Sequence, residues 1–144
     1  MKFEKGFDGY VCPGDVITTT VEGFEIAARI EHDFETHIDD DNVHNVDQTV
    51  TCCNVEQRKA LLAARESWLR GEWQYVGVVL SVARAGVVLD EYAASLWGIC
   101  CNYPDGDNEY ISDVANELLP EAVQAAETTL AKLCKSVKVS RGAP

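Results

Sequence analysis

The sequence is short of positive charge. Of its 144 residues 12 are Lys or Arg and 24 are Asp or Glu, a formal net charge of −12 with a pI near 4.5. The shortage is also local. No Lys or Arg lies between Arg29 and Arg58, which enclose eight acids, or between Arg84 and Lys132, which enclose nine, so 17 of the 24 acids fall in two windows without a base. A surface of that sign opposes binding to nucleic acid or to an anionic membrane and favours a basic partner. Any apolar run near the roughly 20 residues that span a bilayer is missing too. The start, Met1 to Gly6, carries no apolar stretch of the secretory kind, so the expected location is the cytoplasm. There is no G-x-S-x-G, no glycine loop of the kind that cradles phosphates and no dinucleotide fingerprint. The expectation is therefore a non-enzymatic chain without a cofactor. An EF-hand is excluded as well: residues 39–47 lack the glycine of its sixth position, and Asp105-Gly106-Asp107 sets its glycine out of register.

What is present suffices for one domain. A hydrophobic content of 47% and a mean hydropathy of −0.12 belong to a globular chain, and this length buries a sizeable core. The densest β-branched and aromatic run, Trp73 to Ile99, is broken by a turn at Arg84-Ala85-Gly86 and predicts strands over 74–83, 87–91 and 94–100. Ahead of it, VITTTV (16–21) and FEIAARIE (24–31) meet at Glu22-Gly23 and read as a hairpin. Alternation puts Phe24, Ile26, Ala28 and Ile30 on one face, with Glu25, Ala27, Arg29 and Glu31 on the other. Asn54 opens a helix with Gln57 as its capping-box partner. Val55, Leu62 and Leu69, with Leu61 and Trp68, give it an apolar face, and Gly71 ends it.

The last helix begins near Asp107 or Asn108. Its apolar residues step by three or four from Ile111 to Val137, a stripe about seven turns long that suits a core or a homodimer. Pro120 is expected to kink it or to start a second helix. The fold class is thus α+β, order ββ–loop–α–βββ–α: a small antiparallel sheet, hairpin plus three-stranded meander, covered by two helices. Residues 1–14 read as an irregular lead-in, 15–137 as a single domain and 138–144 as a flexible tail. Residues 32–48 read as a long acidic loop with a short strand near 34–38.

Four groups of residues bear on chemistry. On the last helix Glu109, Asp113, Glu117 and Glu121 stand at successive i, i+4 positions, where like charges cost about 0.2–0.5 kcal/mol per pair. A helix tuned for stability alone would alternate Glu with Lys. This stripe, which approximates the repeat of phosphates along a nucleic-acid strand, is the first candidate partner-binding surface, and Asp39, Asp40 and Asp41 are the second. His32, His37 and His44 fall in one acidic loop and supply the alternative reading, a metal-binding protein or metal-dependent enzyme, although their spacing matches no metal motif. The cysteines, Cys12, Cys52, Cys53, Cys100, Cys101 and Cys134, include two adjacent pairs, a poor arrangement for zinc, and read as buried free thiols. The aromatics Trp68, Trp73, Tyr75, Tyr92, Trp97 and Tyr103 read as core.

Trp73, Tyr75 to Val82, Gly86 to Leu89, Ala94 to Ile99 and Val114 to Leu118 together resemble small acidic proteins encoded by bacteriophages and bacterial mobile elements, over about the last two-thirds of the chain. The resemblance carries no site residues. It implies an anti-defence role of the anti-CRISPR or DNA-mimic type, in which an acidic protein occupies a basic, nucleic-acid-binding or partner-docking surface of a host complex such as a CRISPR–Cas assembly. A phage structural or housekeeping interaction protein is the remaining reading.

Overall fold

Two tight turns lay out the sheet. The computed structural model describes residues 1–40, 54–104 and 106–142. Strand β1 (Val16–Val21) turns at Glu22-Gly23 into β2 (Phe24–His32), and β3 (Gln74–Arg84) turns at Ala85-Gly86 into β4 (Val87–Cys101). Both residues of each turn have positive φ, 52° and 83° in the first and 51° and 79° in the second, the hairpin geometry whose twist matches that of its strands. The four strands form one antiparallel sheet in the order β1-β2-β3-β4. The α+β class is as expected. The three-stranded meander is instead a two-stranded hairpin, because β4 runs through both of the segments expected to be separate strands. Irregularities in its pairing with β3 absorb the polar Asp90-Glu91 stretch without ending the strand.

The alternation in β2 is as read. Phe24, Ile26, Ala28 and Ile30 are buried with Val76, Val78, Leu80 and Val82 of β3, and the register places Ile26 opposite Val82, Ala28 opposite Leu80 and Ile30 opposite Val78. On this face lies the long helix, which brings Ile111, Ala115, Leu119, Ala122, Val123 and Ala126 into the same core. Fully burying a large aliphatic side chain is worth about 1.5–3 kcal/mol, so this face carries most of the stability.

Residues 1–15 contain no helix or strand, yet they are strapped down. Phe3 and Val11 are buried. The Phe3 N–H donates to Asn116 Oδ1 at 2.7 Å and the Phe7 N–H to Ser112 Oγ at 2.8 Å. Asn102 acts toward Val11 like a neighbouring strand: its Oδ1 accepts the Val11 N–H at 3.0 Å and its Nδ2 donates to the Val11 carbonyl at 2.7 Å.

Helix α1 (Val55–Leu69) has the expected capping box, Asn54 Oδ1 accepting the Gln57 N–H and Gln57 Oε1 accepting the Asn54 N–H. It ends in a Schellman arrangement, with the Glu72 N–H on the Ser67 carbonyl and the Gly71 N–H on the Trp68 carbonyl, both at 2.9 Å. Its expected apolar face is corrected. Val55 and Leu69 are 84% and 63% exposed, whereas Ala64 and Ser67 are buried. The anchor is Trp73, whose indole N–H donates to the Ala64 carbonyl at 2.8 Å. Trp73 forms a second, smaller core with Tyr75 and Ile38, against which Trp68 packs.

Helix α2 (Glu109–Gly142) runs unbroken through Pro120, which sits on its exposed side. The residues expected as a tail continue the helix as far as Gly142. The short strand expected near 34–38 is absent; a turn at Asp33 leads instead to a 3₁₀ turn at Ile38–Asp40. No helix among the described residues is long and apolar enough to cross a membrane.

Candidate functional site

The acids of α2 stand where the helical period puts them. Glu109, Asp113, Glu117 and Glu121 are all exposed, while Ile111, Ala115, Leu119 and Ala122 on the other side of the helix are buried. At 1.5 Å per residue the ridge spans about 18 Å. Among the described residues none of the four takes part in an ion pair. The first acid lies in the first turn, where the helix dipole favours it; Glu117 and Glu121 lie beyond that help.

The second acidic candidate behaves differently. Asp39 is paired with Arg65 of α1, Oδ1 to Nη1 at 2.5 Å, and faces His37 Nδ1 at 3.4 Å. The hydrogen bond from Arg65, against a small desolvation cost, holds its carboxyl below the ordinary value. The window without bases in the sequence is therefore closed at Asp39 by a base from the following helix. Asp40 belongs to the 3₁₀ turn, and Asp41 lies outside the described residues.

The two described histidines make separate ring contacts. His32 stacks on Phe34 with centroids 4.0 Å apart, and His37 meets the edge of Trp68 at 4.8 Å. His44 is outside the described residues. No group of three metal-ligating side chains occurs among the described residues.

Adjacent cysteines on a strand point to opposite faces, and the pair in β4 does so. Cys101 is buried in the main core, with its Sγ on the Val11 carbonyl at 3.3 Å, and Cys100 packs against the Trp73–Tyr75 cluster. Burial, with Cys12, Asp15 and Cys100 nearby, pushes the Cys101 thiol up to about 11. The expectation of buried thiols holds for Cys101; Cys12 and Cys134 are exposed. Cys52 and Cys53 are outside the described residues.

Two of the aromatics read as core are not core. Tyr92 is 61% and Trp97 44% exposed, and Phe34, which the sequence did not single out, is 86% exposed. Trp97 and Tyr92 are set by irregularities of the sheet, Phe34 by the turn that follows β2. Trp97 and Gly98 together stand opposite Gly77, a bulge between the pairs Val76–Ile99 and Val78–Leu96. Gly98 has φ 74°, and a Cβ on Gly77 would come within 2.2 Å of the Trp97 ring, so the indole lies directly on the backbone of β3. Its N–H donates to Ser95 Oγ at 3.3 Å. Tyr92 stands in β4 at the next irregularity, between the pairs Leu80–Ala94 and Val82–Asp90. Arg29 stacks on its ring, 4.8 Å from the centroid, and donates to the Glu91 carbonyl at 3.0 Å.

Phe34 follows Asp33, a buried carboxylate that organises this end of the sheet. Asp33 Oδ1 accepts the N–H groups of Glu35 and Thr36, both at 3.0 Å. Its Oδ2 accepts the Thr36 hydroxyl at 2.6 Å and the Gly98 N–H at 2.9 Å. Burial opposes the charge, but these hydrogen bonds outweigh it, and the carboxyl is held below its ordinary value. Asp33 thereby ties the turn that carries Phe34 to the bulge that carries Trp97. Two adjoining hollows, about 470 and 530 Å³, share His32, Phe34 and Trp97 as walls. Two signals for this cleft were in the sequence: Asp followed three residues later by Thr, an Asx-turn pattern, and a glycine inside a strand run after Trp97, a bulge marker.

Comparison with known protein families, with curated proteins and with solved structures finds no match.

Proposed function

We propose that the chain is a non-enzymatic binding protein whose α2 ridge, Glu109, Asp113, Glu117 and Glu121, docks on a basic protein surface. The observation that carries this reading is the set of four exposed carboxylates on one helix side, none with an ion-pair partner among the described residues. Asp39 supports it by contrast, since a carboxylate of this protein that serves structure has been given an arginine. Repulsion along the ridge costs the free helix stability, and a cationic surface laid over it relieves that cost.

Carried further with the resemblance of the central strands, the partner is a nucleic-acid-binding or partner-docking surface of a bacterial defence complex, of the CRISPR–Cas kind, and the protein acts as a phage-type inhibitor in the host cytoplasm. The test is affinity capture from a bacterial lysate at low salt and at about 0.5 M, where the screening length shrinks to a few ångströms, with mass spectrometry of the eluates. Nucleic-acid-binding proteins retained at low salt and released at high salt are expected. Retention indifferent to salt, or of acidic proteins only, contradicts the reading.

A further inference from the structure

The cleft of Phe34, Tyr92 and Trp97 is built without being filled. A Phe at 86% exposure and a Trp seated over a glycine backbone are fixed by one buried carboxylate, which bonds both the turn after Phe34 and the bulge at Gly98. The carboxylates lining the two hollows are Glu31 in one and Asp33 and Glu35 in the other; His32, stacked on Phe34, is shared by both, and neither has a Lys or Arg among its lining residues. Aromatic faces rimmed by carboxylates attract a cation through the ring quadrupole and the charge together. The molecule already uses the principle at this rim, where Arg29 lies over Tyr92 and pairs with Glu31 at 3.6 Å. Among cations, a planar guanidinium both stacks on an aromatic face and donates to a carboxylate in a fixed fork, which an ammonium does not do.

We infer that this cleft is a second docking point, which takes an arginine side chain from a basic partner protein between Phe34 and Trp97, with Glu35 as its counter-charge. The inference deepens the reading of the chain as a binder of basic proteins and rests on it. It adds a specific pocket to the diffuse field of the ridge, on residues independent of α2.

The test titrates the whole protein with N-acetyl-arginine amide and with its uncharged citrulline counterpart, following amide and indole N–H chemical shifts. Saturable shifts are expected at the Trp97 indole and at Gly98 and Glu35. Affinity is expected to fall roughly tenfold for citrulline and in Phe34→Ala, the order of a lost cation–π contact, and in Gly77→Ala, whose Cβ displaces the indole. Phe34 is so exposed that its removal leaves the fold intact, which unchanged shifts elsewhere verify. Absence of a saturable shift at Trp97, equal binding of citrulline, or full binding by Phe34→Ala overturns the inference. Glu117→Lys is expected to bind the arginine probe like the wild type. The two readings then fail separately: no probe binding with ridge-dependent capture removes the cleft alone, whereas probe binding with ridge-independent capture upholds the cleft and removes the ridge.

Discussion

Asp33 shows how much one side chain organises. It accepts four hydrogen bonds from three residues, one of them across the sheet in β4, and its pKa is lowered. A group whose folded pKa lies below its unfolded one stabilises the fold above the unfolded value, and that contribution is lost as pH falls through the folded one. Asp33→Asn is therefore expected to cost about 2 kcal/mol at neutral pH, where it loses charged hydrogen bonds. The gap from wild type should narrow below 3.8, the unperturbed value, as the wild-type carboxyl protonates. Urea titrations of both proteins at neutral and acid pH read this directly; a gap that widens in acid would contradict the assignment. A second residue-scale outcome concerns the thiols. With its pKa raised to about 11 and its side chain buried, Cys101 should resist alkylation in the native protein while the exposed Cys12 and Cys134 react, as peptide mass spectrometry after iodoacetamide will show.

At the scale of elements, local chemistry explains the ends and long-range packing explains the faces. Replacing Asn54 by Ala removes the acceptor for the Gln57 N–H and is expected to cost about 1 kcal/mol; thermal unfolding with an unchanged midpoint would show that α1 does not fold with the rest. Turns, caps and alternation are local signals, and for that reason both hairpin turns, the capping box, the helix stop at Gly71 and the buried face of β2 were legible in the sequence. The heptad Val55–Leu62–Leu69 misled because amphipathic spacing names a face without naming what covers it, and α1 is held instead by Trp73 on the Ala64 carbonyl, by Trp68 against the smaller core and by Arg65 on Asp39. Bulges misled in a similar way. A strand with inserted residues breaks the period of two, so β4 read as two strands, and Tyr92 and Trp97 read as core although the bulges turn them outward. The ridge on α2 was fully legible because helical spacing and exposure coincide there. The pairing of Asp39 with Arg65 was not, since their 26-residue separation leaves no trace in local pattern.

On the scale of the whole molecule, the charged ridge and the packed cores lie on different residues. Two cores hold the sheet, one under α2 and one around Trp73, and neither involves the ridge. Reversing the centre of the ridge should then help the fold and harm the function. Glu117→Lys converts two repulsive i, i+4 pairs, with Asp113 and Glu121, into attractive ones and is expected to raise stability by about 1 kcal/mol. Among the described residues Glu117 has no ion-pair partner, and the docking proposed above would explain why the position is Glu. The measurement to make is capture from a bacterial lysate at low salt by the wild type and by a Glu117→Lys, Glu121→Lys protein side by side, with the circular dichroism and melting temperature of both recorded. The variant is expected to be at least as stable and to have lost the basic, nucleic-acid-binding proteins that the wild type is expected to retain. A folded variant that captures the same proteins to the same extent contradicts the docking role of the ridge.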